Sequence, residues 1–319
     1  MCGIAGILGG TDTVVRRRRV GRMTRALTHR GPDDEGLFDD DGVSLGFRRL
    51  SVIDLDTGGQ PIGVVERSLA LVRNGEMYNF RELRRELEGK GYRFRSTGDV
   101  EVVLRLWAEE GPDCLRRLNG MFALAVWDGR RHELHLARDR FGIKPLYLCR
   151  NGDGLAFASE LRSLRAGGFP EAPRLDGLQL RHYLAYGYLS PEGAPFENVQ
   201  SLPPATILTV DSDGRERLDI YWQPPAPDES SSAPRRAVDR LRGALEGSVT
   251  RQLVADVPVG VFLSGGLDSS TLSAIARRRV SGPLRTFSVG FEGPDAVSEL
   301  PSAREIADFL GSDHHELMM

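Results

Sequence analysis

Residues 223–234 read Gln-Pro-Pro-Ala-Pro-Asp-Glu-Ser-Ser-Ser-Ala-Pro, a proline- and serine-rich stretch that cannot build a core. The hydrophobic pattern changes across it. Upstream lie many short strand-like segments punctuated by tight turns, with a few helices; downstream, helical stripes alternate with apolar strands. A chain of 319 residues also exceeds one typical domain. The expectation is an α+β domain with antiparallel sheets over residues 1–223, a linker over 224–234, and the start of an α/β parallel-sheet domain over 235–319.

In the first segment Gly3-Ile4-Ala5-Gly6-Ile7-Leu8 reads as a strand. Val20, Met23 and Leu27 share one face of a helix that stops at His29-Arg30-Gly31-Pro32-Asp33, where Gly-Pro marks a sharp loop. The arginines at 16–19 are expected to form a solvated turn or helix start. Residues 43–47 and 69–72 read as short strands, the second closed by Asn74-Gly75, a tight-turn signal. Phe80, Leu83 and Leu87 mark a helix ended by Gly89 and Gly91, and another runs from Asp99 through Val103, Leu104 and Trp107. Residues 121–127 and 132–138 form a hairpin about Asp128-Gly129, 141–148 and 154–158 continue that sheet, and 205–210 pairs with 216–222.

Downstream, Ala237, Leu241, Leu245, Val249 and Leu253 make a helical stripe. Residues 257–263 are a continuous apolar run, as expected of a strand buried on both faces. A loop over 264–270, a helix from Thr271, a strand over 286–291, a helix over 302–310 and a strand start at 315–319 then open a doubly wound sheet. The loop Ser264-Gly265-Gly266-Leu267-Asp268-Ser269-Ser270 sits where backbone N–H groups and a helix dipole favour an anion, and its glycines let the backbone approach a ligand closely. It lacks the lysine of a Gly-x-x-x-x-Gly-Lys-Ser/Thr loop. The alternative is an ordinary Gly-rich turn with Asp268 or Ser269 as N-cap. Asp268 is too negative to touch phosphate and is a candidate magnesium ligand or cap.

The formal charge of −3 predicts no nucleic-acid or membrane partner. Cys2, Cys114 and Cys149 are scattered without zinc spacing, and no apolar run suits a signal peptide or a spanning helix. The expectation is a soluble, cytoplasmic chain. The lysines are Lys90 and Lys144 alone, so the second segment has none to offer a phosphate.

Cys2 follows the initiator. If Met1 is trimmed, one residue carries both the nucleophilic thiol and, in its α-amine with an ordinary pKa near ~8, the base that can take the thiol proton. Taken alone, Cys2 also reads as a small apolar residue entering the first strand.

The full set of motifs resembles the glutamine-hydrolysing asparagine synthetases. These combine a type-2, N-terminal-nucleophile (Ntn) glutamine amidotransferase domain with an ATP-pyrophosphatase synthetase domain. The resemblance rests on Met1-Cys2-Gly3-Ile4-Ala5-Gly6, His29-Arg30-Gly31-Pro32-Asp33, Arg49-Leu50-Ser51-Val52-Ile53-Asp54, Asn74-Gly75-Glu76-Met77-Tyr78-Asn79 and Gly98-Asp99-Val100-Glu101. It continues through residues 138–147, 157–161 and the Ser264 loop, in the family's order. It implies a four-layer αββα sandwich over residues 1 to about 223, followed by an incomplete Rossmann-like domain. Cys2 would attack the glutamine side-chain amide, with Asn74 and Gly75 as the oxyanion hole, where one donor is typically worth about 3 kcal/mol. Arg49 would take the α-carboxylate, Glu76 and Asp99 the α-ammonium, and Leu50, Ser51, Val52 and Ile53 would line the same site. ATP and Mg²⁺ would serve as co-substrate, with no prosthetic group. Ser264, Gly265, Gly266, Asp268, Ser269 and Ser270 would meet the pyrophosphate end, and Leu263 and Val289 the adenine. Ammonia would then attack a β-aspartyl adenylate, giving asparagine. Such chains commonly form homodimers.

Each residue has a plainer alternative: Asp99 as a helix cap, Arg49 as a surface arginine, Asn74-Gly75 as a hairpin turn. The sequence also departs from the family. The later Ser-Gly-x-Gly-Gly-Asp-Glu stretch and the catalytic lysine do not occur in these 319 residues, so either they are part of a longer protein or the second domain is expected to be incomplete at Met319, which would expose an apolar sheet edge. Three readings follow: an asparagine synthetase represented by its N-terminal portion, a glutaminase or regulatory binding chain, and a relative acting on another carboxylate.

Overall fold

The alternation along the first strand, β1 (Gly3–Gly9), already sets the layering of the first unit. Ile4 and Leu8 face one way, Ala5 and Ile7 the other, and all four are buried. A strand buried on both faces needs a partner layer on each side. The computed structural model describes residues 1–10, 12–64, 68–152, 154–226, 234–292 and 298–319, and it divides into units Met1–Pro225 and Ala226–Met319.

In the first unit β1 is followed by α1 (Thr13–Arg25), β2 (Asp34–Asp40), β3 (Val43–Arg49), β4 (Ile62–Val64), β5 (Leu69–Met77), α2 (Phe80–Gly89) and α3 (Asp99–Glu110). Then come β6 (Gly120–Asp128), β7 (Glu133–Arg138), β8 (Tyr147–Asn151), β9 (Gly154–Ala158), α4 (Leu161–Gly167), α5 (Gly177–Tyr186), β10 (Val199–Ser201), β11 (Thr206–Val210) and β12 (Glu216–Ile220). Two six-stranded sheets result, β10-β8-β9-β1-β3-β2 and β12-β11-β7-β6-β5-β4. Their pairings are all antiparallel.

Ile4, Leu8, Leu45 and Phe47 of one sheet meet Val72, Ala125, Trp127 and Leu136 of the other in a core between the sheets. Each large apolar side chain so buried contributes about 2 kcal/mol. On the outer face of the first sheet Ala5, Ile7 and Ala158 meet Val20 and Met23 of α1 and Leu164 of α4. On the outer face of the second, α3 packs on β4 and β5 and carries α2. This is the expected αββα sandwich.

Several local expectations are corrected. Asn74-Gly75 makes no turn: β5 runs through it to Met77, paired residue by residue with β6. Gly75 is required for that continuity, because its φ is +139° and a Cβ there would lie 1.9 Å from the Met121 carbonyl oxygen. β8 and β9 do not continue the β6–β7 hairpin but join β1 in the opposite sheet, and residues 141–146 form no strand. The basic run takes the helix-start alternative, in the first turns of α1 with Arg17 and Arg18 exposed, but it is only partly solvated: Arg16 is buried with its guanidinium on Ser44 and the Asp40 carbonyl, while Arg19 donates to the Gly167 carbonyl at 2.8 Å and covers the Phe169 ring. Strand β2, with sequence Asp-Glu-Gly-Leu-Phe-Asp-Asp, was not legible as a strand. It is an exposed edge, whose charges block pairing with other chains.

The second unit contains α6 (Pro234–Gln252), β13 (Gly260–Phe262), α7 (Leu267–Arg277), β14 (Arg285–Gly290), α8 (Leu300–Leu310) and β15 (Asp313–Met318). The strands form a parallel sheet, β13-β14-β15. Residues 257–263 are not buried on both faces. Phe262 is 78% exposed, and β14 alternates exposed and buried, because the described helices cover one face of the sheet. The helix after the loop starts at Leu267 rather than Thr271, so Asp268, Ser269 and Ser270 lie in its first turn. Part of the expected linker, 227–233, lies outside the described residues.

Candidate active site

The candidate nucleophile enters from the start of β1. Cys2 is pinned at its carbonyl by Arg30 Nε (2.9 Å) and at its sulfur by the backbone of Leu50, whose N–H lies 3.4 Å from Sγ. Arg30 is braced in turn by Glu160 at 2.8 Å. Gly31 presses against the Arg48 backbone, and Asp33 accepts the Ser51 N–H at 2.7 Å. These contacts explain why the motifs at 29–33, 49–54 and 157–161 accompany the amino terminus: they hold one residue in place.

The opposite wall is an open strand edge. β4 pairs only as far as Leu71 of β5, so the outward N–H groups of Arg73, Gly75 and Met77 have no strand to meet. Gln60 Oε1 accepts from Arg73 N at 2.7 Å and Asp99 Oδ2 from Met77 N at 2.8 Å. The Gly75 N–H, on the same side of the strand, falls between them at the cleft lined by Cys2, Arg49, Leu50, Val52, Ile53, Gly75 and Glu76. Asn74 is 1% exposed, and neither its Oδ1 nor its Nδ2 has a partner among the described residues. An unpaired buried amide is costly.

Arg49 lines the cleft, but its guanidinium donates to the carbonyls of Leu55 (3.2 Å), Ile53 (3.4 Å) and Asp54, holding the 50–58 loop. Asp99 is not the cap of α3, whose N-cap is Gly98. Its Oδ1 instead accepts from Arg73 Nη2 at 2.6 Å, with both side chains buried. The Glu76 carboxylate has no hydrogen-bonded or ion-paired partner among the described residues, although its backbone is paired with β6. Burial raises its pKa to about 7, against the pull of Arg73 and with the push of Asp99. Burial also raises the Cys2 thiol pKa, and the Leu50 backbone and Arg73 only partly offset it, so the thiol needs a base.

Two cations here were not singled out from sequence. Arg73 interrupts the apolar run Leu69-Ala70-Leu71-Val72, and that lone charge was its signal. Its Nε and Nη1 are buried without partners among the described residues. Lys144, 4% exposed, sends Nζ to within 3.1 Å of Met1 Sδ, and burial and Arg30 lower its pKa. The Met1 side chain thus lies against the Lys144 ammonium and the Arg30 guanidinium, and its removal would free both.

A family model described as a glutamine amidotransferase domain matches residues 1–222. The chain belongs to this family. A second model, asparagine synthase, matches residues 240–319 of this amidotransferase-family chain. Among curated relatives, glutamine-hydrolyzing asparagine synthetase 1 of Bacillus subtilis is 36% identical over 320 residues, 98% of this chain and 49% of the relative. Glutamine-hydrolyzing asparagine synthetase 2 of Arabidopsis thaliana is 35% identical over 328 residues, 99% and 50%. The chain thus spans about half the length of these relatives. Among solved structures, the glutamine phosphoribosylpyrophosphate amidotransferase from B. subtilis superposes with a TM-score of 0.56 at 16% identity, covering 100% of this chain and 91% of that one. The allosteric regulatory enzyme of purine biosynthesis gives 0.54 at 17%, covering 99% and 80%. At those identities the likeness is one of fold.

In the second unit the Ser264 loop joins β13 to α7, and Gly265 at φ +77° packs its backbone against Ser302 and Ala303. Ser264 and Ser269 hydroxyls bond each other at 3.0 Å, and the Gly266 N–H donates to Ser264 Oγ at 3.3 Å. Ser270 Oγ is buried without a partner among the described residues. Leu263 is buried against Ala303 and Ala307, Val289 is exposed, and Asp268 sits in the first helical turn. No group of three or more possible metal-ligating side chains occurs among the described residues, and no described helix is long and apolar enough to cross a membrane.

Proposed function

We propose that this chain is the glutamine-hydrolysing part of an asparagine synthetase and works in the cytoplasm. Cys2, freed of Met1, attacks the glutamine amide carbon, its α-amine taking the thiol proton. The Asn74 amide and the Gly75 N–H receive the oxyanion, ammonia leaves, and water hydrolyses the γ-glutamyl thioester to glutamate. The observation that carries this reading is that Cys2 and Gly75 line one cleft, with the buried, partnerless Asn74 side chain next to Gly75 in the strand. Arg49 and the loop of Leu50, Ser51, Val52 and Ile53 would enclose the α-carboxylate.

The second unit would bind ATP at Ser264, Gly265, Gly266, Ser269 and Ser270 and activate aspartate for attack by ammonia. Mg²⁺ commonly binds through one or two carboxylates together with substrate phosphates, which suits a loop offering Asp268 alone. Bound there, it would neutralise phosphate charge. The burial of Leu263 argues for its packing the loop rather than the adenine, which leaves Val289 exposed for that role. A second reading, amide hydrolysis without ligation, is supported by the mutual pairing of the Ser264 and Ser269 hydroxyls, which turns them from a phosphate. A homodimer is a further possible assembly under either reading.

The test is one incubation of the purified chain with glutamine, aspartate, ATP and Mg²⁺, quantifying glutamate, AMP and asparagine. Glutamate, AMP and asparagine in step support ligation; glutamate alone supports the second reading; no glutamate overturns both.

A further inference from the structure

The stretch at residues 138–147 supplies no group to the chemistry above, yet its hydrogen bonds serve to place one side chain near Cys2. Asp139, wholly buried, accepts four backbone N–H groups: Phe141 and Ile143 on Oδ1, each at 3.0 Å, and Lys144 (3.0 Å) and Phe122 (3.1 Å) on Oδ2. Arg138 Nε donates to the Lys144 carbonyl at 2.8 Å. The loop after β7 is thereby wrapped round one carboxylate, with the Lys144 backbone held at both its N–H and its carbonyl.

From that anchor the Lys144 side chain is only 4% exposed, and its Nζ stops 3.1 Å from Met1 Sδ, its one recorded partner among the described residues. A buried ammonium is costly unless it is paired, and a thioether is a weak acceptor. Arg30, also buried, brings Nη2 to 3.9 Å from the same sulfur. Two cations therefore converge on a side chain that removal of Met1 takes away. A methionine Sδ can lie no more than about 6 Å from the nitrogen of the next residue, which sets Lys144 Nζ within about 9 Å of the nitrogen that becomes the Cys2 α-amine.

Resting on the amidotransferase reading, we propose that Lys144 is a positioning residue for the catalytic base: with Arg30 beside it, its ammonium stands near the mature amino terminus and disfavours protonation of the Cys2 α-amine, leaving that amine free to take the thiol proton. The need is plain, because an α-amine with an ordinary pKa near ~8 is roughly nine-tenths protonated at pH 7. A like charge at that range shifts a titrating group by about one unit at the effective dielectric of a protein surface. The other charges around the terminus leave the bias in place. Burial lowers the pKa of the amine that Met1 now bears; the Cys2 thiol opposes this, Arg30 and Lys144 add to it, and Asp33 opposes it. Arg73 and Glu76 on β5 act on Cys2 with opposite signs, and Glu160 at the start of α4 is already paired with Arg30 and His29.

The experiment records kcat/KM for glutamine hydrolysis from pH 5.5 to 9.5 with the unaltered chain, Lys144→Met and Lys144→Arg, each shown by mass spectrometry to begin at Cys2. In Lys144→Met the acid limb is expected to move up by about one unit, a loss of about tenfold at pH 6 that shrinks to under threefold at pH 9, and Lys144→Arg is expected to restore the limb. An unmoved limb overturns the inference. So does an equal loss at every pH, which marks a structural or binding role, and so does disappearance of the limb, which makes Lys144 the base itself. A second measurement needs no variant: ¹⁵N NMR titration of the α-amine in the chain labelled with ¹⁵N-cysteine, expected at least about half a unit below the ordinary ~8 and contradicting the inference at or above it. Ammonia release that survives Cys2→Ala, or none from the unaltered chain, overturns the amidotransferase reading and this inference together. Cys2-dependent hydrolysis with an acid limb indifferent to residue 144 overturns this inference alone.

Discussion

Replacing Asn74 by alanine separates the two demands on that residue. In the folded chain its amide is 1% exposed, and Oδ1 and Nδ2 lack partners among the described residues. Each buried unsatisfied group costs about 1–3 kcal/mol. Truncation removes that penalty but leaves a small void and lost contacts of similar size. The net change in stability is expected within about 1 kcal/mol of zero, roughly 2–4 °C in Tm for a domain of this size. Catalysis has no such compensation: loss of one oxyanion donor costs about 2.7–4 kcal/mol, or 10²–10³ in kcat. Thermal melts of Asn74→Ala and glutaminase kinetics on the same preparation provide both numbers. A Tm lowered by more than about 6 °C with kcat reduced less than tenfold would show that Asn74 is structural and refute the argument.

Further outcomes follow from the same packing. Gly75→Ala places a methyl against the Met121 carbonyl in a backbone region that side chains avoid, and is expected to destabilise by roughly 3 kcal/mol or more, read as loss of soluble protein or a collapsed denaturant midpoint. Glu76, with its folded pKa raised to about 7, keeps its proton after the unfolded chain has lost it, so its contribution falls as pH rises from 4.5 through 7; Glu76→Gln should flatten that part of a stability-versus-pH curve, and an unaltered curve would contradict the assignment. His135 is the opposite case. Burial lowers its pKa to about 4, so between pH 6.5 and 4 the unfolded state binds the proton first and stability falls with acid, a loss that His135→Gln should remove in urea titrations across that range.

Much of this architecture was legible because the strands carry apolar residues on alternate positions, as Ile4, Leu8, Leu45 and Phe47 do, and because Phe80, Leu83 and Leu87, and Val103, Leu104 and Trp107, mark helices with buried stripes. The edge strand β2 was hidden by its acids, since an edge need not bury its polar face. Asn74-Gly75 misled for a specific reason: the glycine that signals a turn locally is here demanded by a carbonyl from the neighbouring strand, information held 46 positions away at Met121. The motifs predicted which residues would gather near Cys2, and the cleft does collect Arg49, Gly75, Glu76 and Asp99. Sequence could not reveal that Asp99 is already paired, since that depends on Arg73 pointing toward α3 across a gap only the fold closes. In the second unit, the apolar run at 257–263 reported a strand but not its burial, which depends on which helices lie over it.

The central claim is that Cys2, as the mature amino terminus, is the nucleophile. Its most direct measurement is peptide mass spectrometry of the chain after reaction with the glutamine analogue 6-diazo-5-oxo-norleucine. The account predicts a single adduct on a peptide that begins at Cys2 and lacks Met1. An adduct at Cys114 or Cys149, or labelling of a chain that still carries Met1, would contradict it.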